Sequence, residues 1–156
     1  MKVRKENFSW SRLKNEKKTY TAPKVHEIVL ELLKNKKGKL LDAGAGKGEL
    51  STKLKDLGFE VYACDKNPTQ FKAEGIKCKF VDLNKNLPYP GNSFDYVICI
   101  EVIEHLENPW NLIRELHRIT KKNKTLILST PNLQNWYSRL YFLLTSKFPY
   151  FRKKGY

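Results

Sequence analysis

The stretch that decides the fold is KLLDAGAGKGELSTKL, residues 39–54. An apolar run ends in an acid, glycines follow at every second position, and leucines then recur at helical spacing. A helix that begins at glycines offers unpaired N–H groups and the positive end of its dipole. Glycines also let a ligand lie against the backbone, although they suit a plain tight turn as well. The stretch therefore predicts a strand, a turn that binds a ligand, and a helix.

Outside this stretch, apolar runs rich in β-forming residues alternate with helical patterns. Leucines and isoleucines recur at helical spacing after the glycine turn and in residues 108–122, and residues 68–75 predict a shorter helix between them. One more amphipathic helix is predicted over residues 22–38, ahead of the first strand. Strands joined by crossover helices predict a mostly parallel sheet covered on both faces, which is an α/β fold. The five predicted strands are residues 39–43, 60–65, 77–83, 94–100 and 125–130.

The positive charge is concentrated at the two ends of the chain. Residues 1–38 contain 11 Lys and Arg against 4 acids, residues 39–131 contain 14 against 12, and residues 132–156 contain 5 against none. Basic ends suit RNA or an anionic membrane surface, and they also suit simple solvation of the core. The 156 residues predict one domain around this nearly neutral middle.

Three sequence features predict a cytoplasmic protein. No apolar run is long enough to span a membrane. The charged N-terminal residues lack the apolar centre of a secretory signal. The 3 cysteines lie in apolar runs without paired spacing, which favours reduced, buried thiols.

Two further acids stand at the ends of predicted strands. Asp65 ends the second strand, where a carboxylate can accept hydrogen bonds from both hydroxyls of a ribose. Asp82 ends the third strand, where it could accept a bond from an adenine amino group. Each acid alone could be a helix cap or a turn residue. Because the carboxyl ends of parallel strands meet at one edge of a sheet, we expect Asp42, Asp65 and Asp82 to converge on one crevice.

In order along the chain, four blocks resemble the class I, Rossmann-like S-adenosylmethionine-dependent methyltransferases. The closest motifs are those of the ubiquinone-pathway O-methyltransferases. The resemblance covers residues 23–135 and implies a Rossmann-like three-layer sandwich. The blocks are LLDAGAGKGELS (40–51), VYACDKNP (61–68), FVDLNKNLPYPGNSFDYVICIEVIEHLENP (80–109) and LILSTPN (126–132).

The resemblance implies S-adenosylmethionine as cofactor, S-adenosylhomocysteine as product and a small molecule as methyl acceptor. It places the first acid and the glycine turn around the methionine part of the cofactor. It assigns Asp65 to the ribose and Asp82 to the adenine edge. The implied cofactor-binding residues are Asp42, Gly44, Ala45, Gly46, Asp65, Lys66 beside the adenine, Asp82, Leu83 at the adenine edge, and Ile100 under the sulfonium.

The segment EVIEH, residues 101–105, supplies the candidate catalytic residues Glu101, Glu104 and His105. If the segment is helical, the three side chains lie on one face beside the crevice. The same Glu-x-x-Glu-His in the resembling ubiquinone-pathway enzymes and in small-RNA 2′-O-methyltransferases implies a divalent cation that positions the acceptor hydroxyl. Two carboxylates and one imidazole leave an octahedral ion short of ligands. We therefore assign these residues to catalysis and assign no metal ligands, with a divalent metal at Glu101, Glu104 and His105 as the less favoured alternative.

The sequence departs from the family pattern at two points. Methyltransferases that act on base amino groups carry an Asn/Asp-Pro-Pro-Tyr block where this chain reads ICIE, which disfavours methylation of DNA bases. The family also continues with two more strands, whereas this sequence ends after five. Either the chain is a fragment, or the terminal segment or another chain, for example in a dimer, covers the edge of the fifth strand.

The terminal segment, residues 132–156, is basic and aromatic. Trp136, Leu140, Leu143 and Leu144 predict one apolar face of a helix. Such a helix suits, in this order, a lid over the acceptor, an interfacial membrane contact, or a stacking surface for single-stranded nucleic acid.

We therefore expect a single methyltransferase domain over residues 1–156, with basic end segments at 1–22 and 132–156. The expected activity is methylation of an oxygen of a small molecule. Two alternatives stay open: an RNA 2′-O-methyltransferase, and a truncated, non-catalytic module that binds S-adenosylmethionine and a partner.

Overall fold

The computed structural model describes residues 22–132 and 136–146. The strands are β1 Lys39–Ala43, β2 Glu60–Asp65, β3 Cys78–Phe80, β4 Phe94–Ile100 and β5 Thr120–Ser129. They form one sheet in the order β3-β2-β1-β4-β5, and every neighbouring pair is parallel. The order reverses between β1 and β4, and ligands of open α/β sheets bind at the carboxyl ends of the strands beside such a point. In chain order the elements are α1 Ala22–Leu33, β1 Lys39–Ala43, α2 Glu49–Asp56, β2 Glu60–Asp65, β3 Cys78–Phe80, β4 Phe94–Ile100, α3 Pro109–Ile119, β5 Thr120–Ser129 and α4 Trp136–Thr145, with 3₁₀ turns at Pro68–Gln70 and Ile103–His105.

Alternate residues of the central strands are buried against opposite helix layers. Leu40 and Ile98 pack with α1 and α2, whereas Leu41 and Val97 pack with α3. This period of two is what a strand buried on both faces produces. It places Asp42, one residue after Leu41, on the side of α2. The predicted Rossmann-like sandwich is therefore confirmed, and the alternation itself directs the first acid toward the glycine turn.

The predicted bounds agree with the structure for β1, β2 and β4 and disagree elsewhere. The third strand is only Cys78–Phe80 rather than 77–83, and residues 68–75 contain one 3₁₀ turn instead of a helix. Strand β5 begins at Thr120, five residues before the predicted start, because α3 ends at Ile119 and the chain enters the sheet directly. The lysines and asparagine of residues 121–124 hid this extension, since they are poor strand formers.

The predicted C-terminal helix forms as α4, but its leucines are exposed within the described part of the chain. Leu143 is 78% exposed and Leu144 is 74% exposed. Strand β5 lies at an edge of the sheet formed by the described strands. The predictions for residues 1–21, 133–135 and 147–156, including most of both basic ends, lie outside the described residues.

No helix among residues 22–132 and 136–146 combines the length and apolar character that crossing a bilayer requires.

An ion pair on α3 fastens the connection between β3 and β4. The Arg118 guanidinium donates to both carboxylate oxygens of Glu115, each at 2.7 Å. Glu115 accepts the Leu87 N–H at 2.7 Å, and Arg118 donates to the carbonyls of Leu87 and Tyr89. The hydrogen bonds from Arg118 lower the pKa of Glu115. Because Asp82 lies in this connection, the pair also fixes one wall of the crevice.

At the opposite, amino-terminal edge of the sheet, Asp95 joins three segments. Its carboxylate accepts the Lys39 N–H at 3.1 Å and pairs with the ammonium groups of Lys121 at 3.1 Å and Lys124 at 3.2 Å. The side chain is only 16% exposed. The hydrogen bond from the Lys39 backbone, followed by those from the two lysines, lowers the pKa of Asp95 to about 2. The starts of β1, β4 and β5 are thereby held together.

We predict that Asp95→Asn lowers the free energy of unfolding by about 2 kcal/mol at pH 7. This is the stabilisation that corresponds to lowering the pKa of Asp95 from 3.8 in the unfolded chain to about 2 in the folded protein. The folded pKa lies below the unfolded one, so the stabilisation is complete above the unfolded value of 3.8 and is lost as the pH falls through about 2. Urea denaturation at pH 7 and at pH 2 measures both limits. Asp56→Asn, at an exposed position, is the control. An equal loss at both pH values would contradict the assignment.

Candidate functional site

The turn after β1 is held in an unusual backbone conformation. Gly44, Gly46 and Gly48 have φ angles of 84°, 53° and 85°, in the left-handed region that glycine adopts without steric penalty. The Gly44 and Ala45 N–H groups both donate to the Cys64 carbonyl, at 2.8 Å and 3.1 Å. The turn is therefore fastened to the end of β2 and presents a defined surface.

The space around the three glycines separates packing from ligand binding. A Cβ on Gly44 would lie 2.4 Å from a Val102 methyl group, and one on Gly48 would lie 2.7 Å from the Phe71 ring. A Cβ on Gly46 would meet no protein atom within 4 Å. Gly44 and Gly48 thus permit close packing, whereas Gly46 borders open space that a ligand can occupy.

Asp42 is a buried carboxylate held by α2. The Ser51 hydroxyl donates to its Oδ2 at 2.6 Å, within the core. Burial raises the pKa of Asp42 to about 6; the hydrogen bond from Ser51 opposes this and the nearby charge of Asp65 adds to it. A positively charged ligand group would stabilise the ionised form. Sequence reasoning did not identify Ser51, although its place one turn into the helix after the glycines was a usable signal.

Asp65 connects the end of β2 to the glycine turn. Its Oδ2 accepts the Gly46 N–H at 2.9 Å, and its Oδ1 accepts the Asn67 N–H at 2.7 Å. A carboxylate has about four acceptor positions, so two remain for hydroxyl groups of a ligand. The neighbouring Lys66 is exposed.

Asp82 lies beside Asp65, two residues beyond Phe80, which is paired in register with Asp65. Its Oδ1 accepts the Asn84 N–H at 3.1 Å, and its Oδ2 lies 3.8 Å from the Lys85 ammonium. The side chain of Leu83 is buried in the core that packs on α3. Any contact between Leu83 and a bound adenine therefore falls to its backbone.

A cavity of about 180 Å³ opens beside the glycine turn. It brings together several predicted residues and adds a side chain of α1, His26, that is not among the predicted site residues. Burial lowers the pKa of His26. The cavity joins α1 to the crevice, a tertiary contact that no local sequence signal revealed. Its lining residues are His26, Asp42, Gly44, Ala45, Lys47, Glu49, Leu50 and Ile100.

The segment 101–105 does not have the predicted helical geometry. Glu101 has a φ of 56°, and only Ile103–His105 form a 3₁₀ turn. The Ser129 hydroxyl donates to Glu101 Oε1 at 2.8 Å, which ties that carboxylate to β5. Glu104 has a side chain only 8% exposed, whereas that of His105 is 66% exposed, and Glu104 Oε1 lies 3.9 Å from His105 Nε2. The predicted single face carrying all three side chains is therefore wrong.

A metal at this segment does not fit the residues present. Among residues 22–132 and 136–146, no group of three or more His, Cys, Asp and Glu side chains is arranged to hold a metal ion. The left-handed Glu101 turns its carboxylate to Ser129, and His105 is directed to solvent. We therefore derive no step through a metal. One buried oxygen, Glu104 Oε2, has no hydrogen-bond partner among the residues that the structure describes.

The crevice fits an adenosyl sulfonium cofactor better than a metal. Gly46 leaves open space at the backbone, Asp65 retains acceptor capacity for ribose hydroxyls, and Asp42 is an anion at a cavity wall suited to a cationic group. All three lie at the carboxyl edge of the sheet beside the switch point between β1 and β4.

The comparisons with known proteins agree with this geometry. The sequence model of a family described as "Methyltransferase domain" matches residues 15–154. A ubiquinone biosynthesis O-methyltransferase of Rickettsia canadensis is 35% identical over 100 residues, which are 60% of this chain and 42% of that protein. The mitochondrial ubiquinone biosynthesis O-methyltransferase of Schizosaccharomyces pombe is 37% identical over 103 residues, covering 59% of this chain and 37% of that protein.

Among solved structures, the PH0226 protein of Pyrococcus horikoshii has a TM-score of 0.63 and 28% identity, covering 78% of this chain and 58% of that one. The chain spans 42% of the length of the Rickettsia relative. More than half of that relative therefore has no matched counterpart here.

We predict that Gly46→Ala weakens S-adenosylhomocysteine binding at least tenfold while the protein stays folded. The added methyl group occupies the open space at the turn, and the left-handed φ costs only about 1–2 kcal/mol. Gly44→Ala is the matched variant and should lose stability instead, because its methyl group collides with Val102. Calorimetric titration and thermal unfolding distinguish the two. Unchanged affinity in Gly46→Ala would place the cofactor elsewhere.

We further predict that Asp65→Ala weakens S-adenosylhomocysteine binding more than Asp82→Ala. Two charge-assisted hydrogen bonds of roughly 1.5–3 kcal/mol each give a loss of about a hundredfold or more for Asp65, against about tenfold for one bond to Asp82. Asp65→Ala also releases the Gly46 N–H. Asp56→Ala serves as the control. Equal losses in the titrations would show that the two acids are wrongly assigned.

Proposed function

The chain belongs to the methyltransferase domain family, and we propose that it binds S-adenosylmethionine and methylates an oxygen of a small molecule. The observation that carries this proposal is the convergence of Asp42, the open backbone at Gly46, Asp65 and Asp82 on one edge of the sheet. The names of the Rickettsia and Schizosaccharomyces relatives support an oxygen acceptor.

In this proposal the residues of the crevice bind and orient the cofactor. Asp65 would accept the ribose hydroxyls, Asp82 would accept from the adenine amino group, and the turn with Asp42 would hold the methionine part. When bound, the cofactor supplies a methyl group on a positively charged sulfur. Little covalent chemistry is then left to the protein, because alignment of the reacting groups alone contributes up to about 7–11 kcal/mol.

His105 and Glu104 would together remove the proton from the acceptor hydroxyl. The exposed imidazole can take the proton, and the buried Glu104 carboxylate 3.9 Å away can stabilise the resulting imidazolium. Burial, together with the charge of Glu101, raises the pKa of Glu104. A positive His105 would in turn lower the cost of ionising this buried carboxyl group.

The acceptor that the names of the two relatives favour is a hydroxyl on a small molecule. RNA 2′-O-methylation and a non-catalytic binding module are the competing functions. Because the chain covers only 42% of the Rickettsia relative, the test includes the non-catalytic binding module.

Transfer of a labelled methyl group from S-adenosylmethionine separates the three functions. The assay includes a panel of phenols and catechols and, in parallel, single-stranded and duplex RNA. Labelled aromatic product supports the proposal, and labelled RNA alone supports the nucleic-acid enzyme. Cofactor binding without methyl transfer to any of these acceptors, or to small molecules extracted from a cell lysate, would favour the binding module.

We predict that His105→Gln lowers kcat by roughly 10²–10⁴-fold, because glutamine cannot accept the proton. Its S-adenosylhomocysteine affinity should stay within about twofold of the unmodified protein, since His105 lies outside the proposed cofactor contacts. His117→Gln, on the exposed side of α3, is the control. Steady-state kinetics with an accepted phenol or catechol provide the measurement, and an unchanged kcat would exclude His105 as the base.

A further inference from the structure

Asn84 joins the connection after β3 to the connection after β4. Its backbone N–H donates to Asp82 Oδ1 at 3.1 Å. Its side-chain Oδ1 accepts two backbone N–H groups from the other connection, that of Glu107 at 2.9 Å and that of Asn108 at 3.3 Å. One residue thus contacts both the proposed adenine carboxylate and the segment that follows His105.

The contact continues into α3. Asn108 is the N-cap of that helix, and its Oδ1 accepts the Asn111 N–H at 3.1 Å. The chain of hydrogen bonds therefore runs from Asp82 through Asn84 to the start of α3. A displacement of Asp82 moves the Asn84 backbone, and the side chain of Asn84 transmits that displacement to residues 107–108.

These bonds are not needed to hold the connection between β3 and β4 on the protein. The Glu115–Arg118 pair already fastens Leu87 and Tyr89 to α3 through three hydrogen bonds. The Asn84 bonds instead act on the other connection, which carries Glu104 and His105 and lacks regular secondary structure beyond the Ile103–His105 turn. Their separate target points to positioning rather than to general support.

We propose that Asn84 is a positioning residue that couples occupation of the adenine end of the crevice to the order of residues 101–108. The inference rests on the proposed cofactor site. A bound adenine fixes Asp82, Asp82 fixes the Asn84 backbone, and the two amides held by Asn84 Oδ1 then open less often. Such coupling is reciprocal, so residues 107–108 also contribute to cofactor affinity. The bonds lie near solvent, so the coupling belongs at the low end of the usual range, about fivefold.

Amide hydrogen exchange of the full chain with and without saturating S-adenosylhomocysteine tests the inference without any methyl acceptor. In the unmodified protein, the ligand should slow exchange of the Glu107 and Asn108 amides by about fivefold or more. Asn84→Ala should remove this ligand-dependent slowing and weaken S-adenosylhomocysteine about fivefold in calorimetry. Asn84→Asp keeps an acceptor oxygen near the start of α3 and should retain both effects. Asn86→Ala, at an exposed position in the same connection, is the matched control.

Asn84→Ser provides a second removal of the bridging amide if the alanine variant does not fold, with the same expected loss. Ligand-dependent slowing that survives in a folded Asn84→Ala or Asn84→Ser protein would overturn the inference. So would binding of S-adenosylhomocysteine that leaves the Glu107 and Asn108 amides of the unmodified protein unprotected, while the cofactor site itself would stand. Failure of the unmodified protein to bind S-adenosylhomocysteine would overturn both.

Discussion

The buried hydrogen bond from the Ser51 hydroxyl to Asp42 is the constraint on which the site depends. It joins the carboxylate of β1 to α2, with a donor–acceptor distance of 2.6 Å in the protein core. The chain must therefore return from the strand to the helix within a few residues, and left-handed glycines allow that return. The turn also donates hydrogen bonds to the Cys64 carbonyl and to the Asp65 carboxylate. These bonds hold the end of β2 beside the crevice.

This constraint places an ionisable group where folding alone would favour an apolar one. Burial raises the pKa of Asp42 to about 6, so its ionised form is costly near neutral pH in the free protein. A cationic ligand group at the cavity wall reverses that cost by pairing with the carboxylate. In the proposed site, pairing with such a group would turn the unfavourable burial of Asp42, in a strand whose other buried side chains are apolar, into ligand affinity.

The central strands and the acids at their ends could be predicted because each signal is local. The apolar runs of β1, β2 and β4 end at polar residues, and an acid at a strand end necessarily reaches the carboxyl edge of a parallel sheet. Contacts between distant segments left no such signal. The His26 side chain at the cavity, Ser51 under Asp42 and the Asn84 bridge all depend on how α1, α2 and the strand connections pack. The shorter β3 and longer β5 likewise reflect pairing with neighbours rather than intrinsic propensity.

The conformation of Glu101 shows most clearly where a periodic pattern stops being informative. A non-glycine residue with φ near 56° is strained, and nothing in the residue type announces it. Two hydrogen bonds with the Ser129 hydroxyl offset the strain. The hydroxyl donates to the Glu101 carboxylate, and it accepts the Glu101 N–H with an N···O distance of 3.2 Å. The left-handed step ends β4 and redirects the chain, so that the next turn buries Glu104 and exposes His105. A continuous helix would have put all three side chains together. The redirected chain instead places a buried carboxylate beside an accessible imidazole, and the proposed role of His105 rests on that arrangement.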